Sequence, residues 1–238
     1  MNTRTRRSSR RVDPVGTHVY LSALLTVLAL SACASAPPGS GAPADPEVAN
    51  RLQEATRPGT RAHVVFDWSL TGRDASFSGT GVMRLDTGYR ARVDLFGPRG
   101  ETYAAAIIED DAMRMVPQQA SALLPPPALL WSLLGAFRVP TDAPLAGTQS
   151  DGSSTTLEYA RDRTRWSFRF EGAALRSTEW TDGNSRRTVT LTGASQLGFP
   201  AATTFRDWTE FRELTLRVTH VEEKTAFEPD VWILPGER

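Results

Sequence analysis

From Ala62 onward, apolar side chains fall on every second residue, and this restricts the chain to extended strands. In AHVVFDWSLT, Val64, Phe66, Trp68 and Leu70 share one side, while His63, Asp67, Ser69 and Thr71 take the other, together with Val65. Only a strand, with its period of two, puts such residues on one face. The pattern returns as Tyr89, Ala91, Val93 and Leu95 against Arg90, Arg92 and Asp94, and as Trp166, Phe168 and Phe170 against Arg165, Ser167 and Arg169. Short polar turns separate the runs: Gly72-Arg73-Asp74, Asp86-Thr87-Gly88, Gly97-Pro98-Arg99-Gly100 and Asp110-Asp111. Strands joined by such turns form a meander. The first holds AHVVFDWSLTG, SFSGTGVMRL, YRARVDLF, ETYAAAIIE and AMRMV; a second, after Gly152, holds TLEYAR, RWSFRFEG, ALRSTEW and RRTVTLTG. Phe205 to Asp207 and Glu213 to Val221 read as two more strands, and VWILP closes the chain. The fold class is mainly β, with about 9–11 antiparallel strands. A sheet that long must curl, close or be covered. One face is wet; the other lines either a packed core or a cavity for an apolar ligand.

Two segments break the alternation. Ala120 to Leu134 reads ASALLPPPALLWSLL, and Leu129, Leu130, Leu133, Leu134 and Phe137 then follow helical spacing. This predicts a short, very apolar helix over Ala128 to Phe137 beside a proline-rich apolar loop. Upstream, Asp45-Pro46 opens another helix, with Asp as N-cap and Pro at the first helical position. Val48, Leu52 and Ala55 or Thr56 share its face, and Pro58-Gly59 stops it. Two or three short helices are thus expected to cover the concave face of the sheet.

The first residues have a different logic. Arg4, Arg6, Arg7, Arg10 and Arg11 precede the apolar run Val19 to Leu30, 12 residues long, and the single cysteine, Cys33, follows Ser31 and Ala32. This is the layout of a secretory signal peptide, and the run is short of the roughly 20 residues a bilayer requires. Leu30-Ser31-Ala32-Cys33 resembles a bacterial lipobox, which implies cleavage before Cys33 and its acylation. Residues 1–32 would then be the lipoprotein signal peptide and 33–44 a Pro/Gly/Ala tether, leaving 45–238 as a single domain. Once acylated, Cys33 would offer no thiol for a disulfide. Taking the five arginines and Asp13 of residues 1–32 from totals of 27 basic and 27 acidic leaves 22 against 26. A mildly acidic body is a poor binder of nucleic acid, which rests on neutralising phosphates.

His63 and His220 lie in separate strands without the clustered carboxylates or thiols of a metal site. There is no Gly-x-Ser-x-Gly elbow, phosphate loop or dinucleotide fingerprint. Glu109-Asp110-Asp111 sits where a hairpin needs a polar turn. No catalytic residue, metal ligand or cofactor is assigned, and an enzyme is not expected.

The order of lipobox, tether, helix, meander, apolar helix and second meander resembles the LolA-like and LolB-like outer-membrane lipoprotein-sorting families. Three passages carry the resemblance: VDLFGPRGETYAAAIIEDDAMRMV (Val93 to Val116), LLWSLLGAFRVP (Leu129 to Pro140), and GFPAATTFRDW followed by ELTLRVTHVEEKTAFEPDVWILP. It implies a half-open antiparallel β-barrel with helices as a lid and a hydrophobic cavity for acyl chains. Phe66, Trp68, Val93, Leu95, Ile107, Trp166 and Phe168 are then expected to line the cavity, with Leu123, Leu124 and Leu130 as a gate or membrane loop. For the aromatics among them, and for Phe170, plain core is the default reading, because aromatics dominate core burial. The implied partners are the membrane, through acylated Cys33, and the acyl chain of a lipid or lipoprotein. By the families' sorting rule, Ala34 after the cysteine points to the outer membrane, facing the periplasm. The alternative is a structural or assembly lipoprotein that holds an envelope protein through its apolar loop or a sheet edge. The acyl-chain reading requires greasy side chains facing unfilled space.

Overall fold

The computed structural model describes residues 42–117 and 123–237. Cys33, the segment before it and the tether up to residue 41 lie outside them. Residues Gly41–Arg238 form one compact unit. Helix α1 (Pro46–Thr56) leads into strands β1 (Ala62–Thr71), β2 (Ser76–Asp86), β3 (Arg90–Phe96), β4 (Thr102–Glu109) and β5 (Ala112–Val116). Helix α2 (Pro127–Leu133) follows. Then come β6 (Leu145–Asp151), β7 (Ser154–Arg161), β8 (Thr164–Glu171), β9 (Ala174–Asp182), β10 (Ser185–Thr192), β11 (Ala202–Asp207) and β12 (Arg212–Glu223).

All twelve strands join one antiparallel sheet in the order β5-β4-β3-β2-β1-β12-β11-β10-β9-β8-β7-β6. Each meander zips up from its own hairpins, and β1 pairs with β12 over the full strand, from Ala62 opposite Glu223 to Thr71 opposite Glu213. The sheet is not closed, since β5 and β6 are its two ends. This is a half-open barrel with few helices, as expected. The count exceeds the expected 9–11 because β6, LAGTQSD, is a polar edge strand with almost no inward apolar row. VWILP adds no strand: Pro229–Trp232 is a 3-10 turn on the convex side.

Helix α1 starts as the sequence predicts. The Asp45 carboxylate accepts from the backbone N–H groups of Glu47 (3.0 Å) and Val48 (3.1 Å), satisfying two donors the helix leaves open. Its buried face is Ala49 and Leu52, with Val48 against the core and Ala55 exposed. Helix α2 is shorter than the expected Ala128 to Phe137. It stops because Gly135 turns into the left-handed region (φ 80°), where its N–H meets the Ser132 carbonyl at 3.0 Å and that of Ala136 meets Trp131 at 3.0 Å. Glycine takes that conformation without the steric cost of a Cβ.

The core fills the concave side. Leu129, Leu130, Trp131 and Leu133 of α2 are all buried there, against inward rows from nearly every strand. Four hydrogen bonds fix α2 and its exit: Trp131 Nε1 to the Asp110 carbonyl (2.8 Å), Thr178 Oγ1 to Ser132 Oγ (3.0 Å), the Phe137 N–H to Thr56 Oγ1 (3.0 Å), and Tyr89 OH to the Phe137 carbonyl (2.7 Å). A small second cluster lies on the convex face, where Leu234 covers Ala105 and Ile107. Among the described residues, both clusters and the side chains packed on them run from Val48 to Leu234.

Candidate functional site

The alternation of β1, β2, β3 and β12 sends an apolar carpet inward, and α2 with its leading loop lies on it. Between them runs a seam lined by Val64, Phe66, Met83, Val93 and Leu95 from below and by Leu124, Leu130, Leu133 and Leu134 from above, ending at Phe199 and Pro200. Its free volume is only about 20 Å³, room for about one water molecule. Of the two readings of the interior, packed core or cavity, this seam follows the first in this conformation: the side chains mesh, because α2 occupies the concave space. One local device sets the floor. A Cβ on Gly81 would lie 2.2 Å from the Phe66 ring, so the glycine lets that ring lie flat across β2.

At one rim of the barrel the seam meets an open groove of about 470 Å³. The end of α1 (Ala55 to Thr60), the β8–β9 turn, and the connection between β10 and β11 form its walls. Leu134, Phe199 and Pro200 line both spaces and form the wall between them.

Of the residues expected to line the cavity, Phe66, Val93 and Leu95 line the seam. Trp68 is buried beside it, its indole N–H shared between the Thr80 (3.0 Å) and Phe96 (3.1 Å) carbonyls. Trp166 and Phe168 stack at 5.8 Å in a packed cluster, where Phe168 lies 4.7 Å from Phe137. Ile107 is a correction: it points to the convex face, under Leu234. β4 is apolar on both faces from Ala104 to Ile108, so period two could not tell in from out there. Of the expected gate, Leu124 and Leu130 line the seam and are buried, so in this conformation they touch neither membrane nor partner, while Leu123 is half-buried beside the core. Sequence reasoning missed Phe199 and Pro200, which sit in a connection without periodicity, and Thr203. Thr203 points inward from β11 at 3% exposure, lines the seam, and its hydroxyl has no hydrogen-bond partner among the described residues.

The charged groups play structural parts. Asp94 is held by Arg84 (2.7 Å) and Arg92 (2.9 Å). Burial pushes the Asp207 carboxyl up, but the Glu210 N–H, Arg187 and the Thr209 N–H outweigh it and hold it below its usual range. His63 and His220 lie on neighbouring strands. Burial, with Arg84 and Lys224 nearby, lowers the pKa of His63. Among the described residues no three His, Cys, Asp or Glu side chains are grouped to hold a metal, and no helix is long and apolar enough to cross a membrane. The arrangement offers burial of apolar surface.

No protein-family model matches the sequence, and no curated protein matches it. Solved structures do match. A LolA superfamily protein of Nitrosomonas europaea superposes with a TM-score of 0.56 at 12% identity, covering 81% of this chain and 99% of that one. A DUF1329 family protein of Desulfovibrio piger superposes with a TM-score of 0.50 at 10% identity, covering 78% of this chain and 94% of that one. At such identities the likeness is one of fold: the chain has a LolA/LolB-like fold.

Proposed function

We propose that this LolA/LolB-like half-barrel binds the acyl chain of a lipid or lipoprotein in the seam between α2 and the sheet. Acylated Cys33 would anchor it in the bacterial outer membrane, and the tether would let the domain stand off into the periplasm. Delivery of lipoproteins to that membrane is the role such a binder would serve. The observation that carries the reading is that an all but closed apolar seam lies against an open groove, with Leu134, Phe199 and Pro200 as the shared wall. A chain entering from the groove would pass that wall and lift α2 from the sheet. Each buried CH₂ contributes about 0.8 kcal/mol, offset by the cost of parting α2 from its partners. No covalent step is involved.

The test uses residues 34–238, which contain the whole folded unit. Titrated with a fluorescent fatty acid, the protein should take it up saturably, with one chain per domain. A lipid-stripped, folded protein that shows no uptake would contradict the reading. A second reading, attachment of an envelope protein through a sheet edge, has one observation in its favour: β5 ends the sheet with no strand beyond it among the described residues. The apolar-loop version of that reading loses support, since Leu124 and Leu130 are buried. Capture of a partner that depends on β5 and is indifferent to lipid would favour it.

A further inference from the structure

Thr203 does not suit a site for bare hydrocarbon. Its neighbours across the sheet are Leu191 on β10 and Leu216 on β12, and it carries the only polar side chain among the seam's lining residues. The other fully buried inward threonine, Thr178, spends its hydroxyl on Ser132 at 3.0 Å. Thr203 Oγ1 has no partner among the described residues. A buried hydroxyl without a hydrogen bond costs stability. Water does not remedy this well, because a buried water wants two to four polar partners and this seam offers one side chain. Thr203 is also the first inward residue of β11, just beyond Phe199 and Pro200 where the seam meets the groove. A chain that enters methyl end first would leave its head at this point.

We infer that Thr203 is a specificity-determining residue whose hydroxyl donates to the acyl carbonyl oxygen at the head of the chain. The ligand class is therefore an acyl compound, with an ester, amide or carboxyl head, and not an alkane or a sterol-like hydrocarbon. This rests on the acyl-chain reading above and narrows it.

The experiment is displacement of a fluorescent fatty acid from residues 34–238 by three competitors of equal chain length: a methyl ester, the free acid and the n-alkane. Wild type should favour the ester or the acid over the alkane by about tenfold, the worth of one buried hydrogen bond; the stronger of the two names the source. Thr203→Val, which keeps the shape and removes the hydroxyl, should erase that preference while leaving alkane binding and folding intact. Thr203→Ser should restore it. If Thr203→Val keeps the wild-type preference, the assignment of Thr203 is overturned while acyl binding stands. If wild type takes up no probe at all, the acyl-chain reading itself fails, and this inference with it.

Discussion

Tyr159 is 2% exposed and packs on Phe137 and Phe168, and burial pushes its phenol up to about 12. In the unfolded chain it ionises near 10. The folded state therefore holds the proton more tightly, and its stabilising effect is complete below pH 10 and lost as pH rises toward 12. At about 1.4 kcal/mol per pH unit, the loss is roughly 2–3 kcal/mol. Urea unfolding of wild type and Tyr159→Phe should run in parallel up to pH 10 and then diverge, wild type losing more. Parallel behaviour to pH 12 would show that the phenol is not desolvated as the packing indicates. At this scale the sequence was legible where inside and outside differ in chemistry. Phe66, Val93 and Leu95 stand opposite polar neighbours and were found. Ile107 has apolar residues on both sides and was misplaced. Thr203 could not be found, because an inward threonine reads in sequence as an outward one.

Among the elements, the C-terminal segment shows why β4 is apolar on both faces. Arg92 donates to the carbonyls of Val231 (2.8 Å) and Ile233 (3.1 Å), Arg114 pairs with Glu237, and Leu234 seals Ala105 and Ile107. Without this cover the convex side of β4 would be an exposed greasy strip beside a free sheet edge, an aggregation hazard. Leu234→Ala should destabilise the domain by about 2–4 kcal/mol, read as a lower urea midpoint with increased binding of a hydrophobic dye. No change in either would mean that the segment contributes nothing to the sheet. The strands with a clear inward row were legible in the sequence, and so was the cap of α1, because Asp-Pro states its own geometry. β6 was not, since an edge strand needs no inward row, and the end of α2 was overrun because leucine spacing continues past the residue, Gly135, that breaks the helix.

At the largest scale, the described residues form a twelve-stranded half-barrel filled by its own helix. The sequence carried the shell, because burial of one sheet face imposes period two. It could not state whether the shell was occupied, since the same leucines on α2 serve a plug or a lid. The free volume of about 20 Å³ makes movement of α2 the condition for cargo in the seam. Ser132 of α2 and Thr178 of β9 meet through their hydroxyls at 3.0 Å, which makes them the pair at which to tie the helix to the sheet with cysteines, and residues 34–238 contain no other cysteine. The decisive measurement is uptake of a fluorescent fatty acid by Ser132→Cys/Thr178→Cys, oxidised and reduced. Uptake should vanish with the helix locked to the sheet and return on reduction. Equal uptake in both states would contradict cargo binding beneath α2.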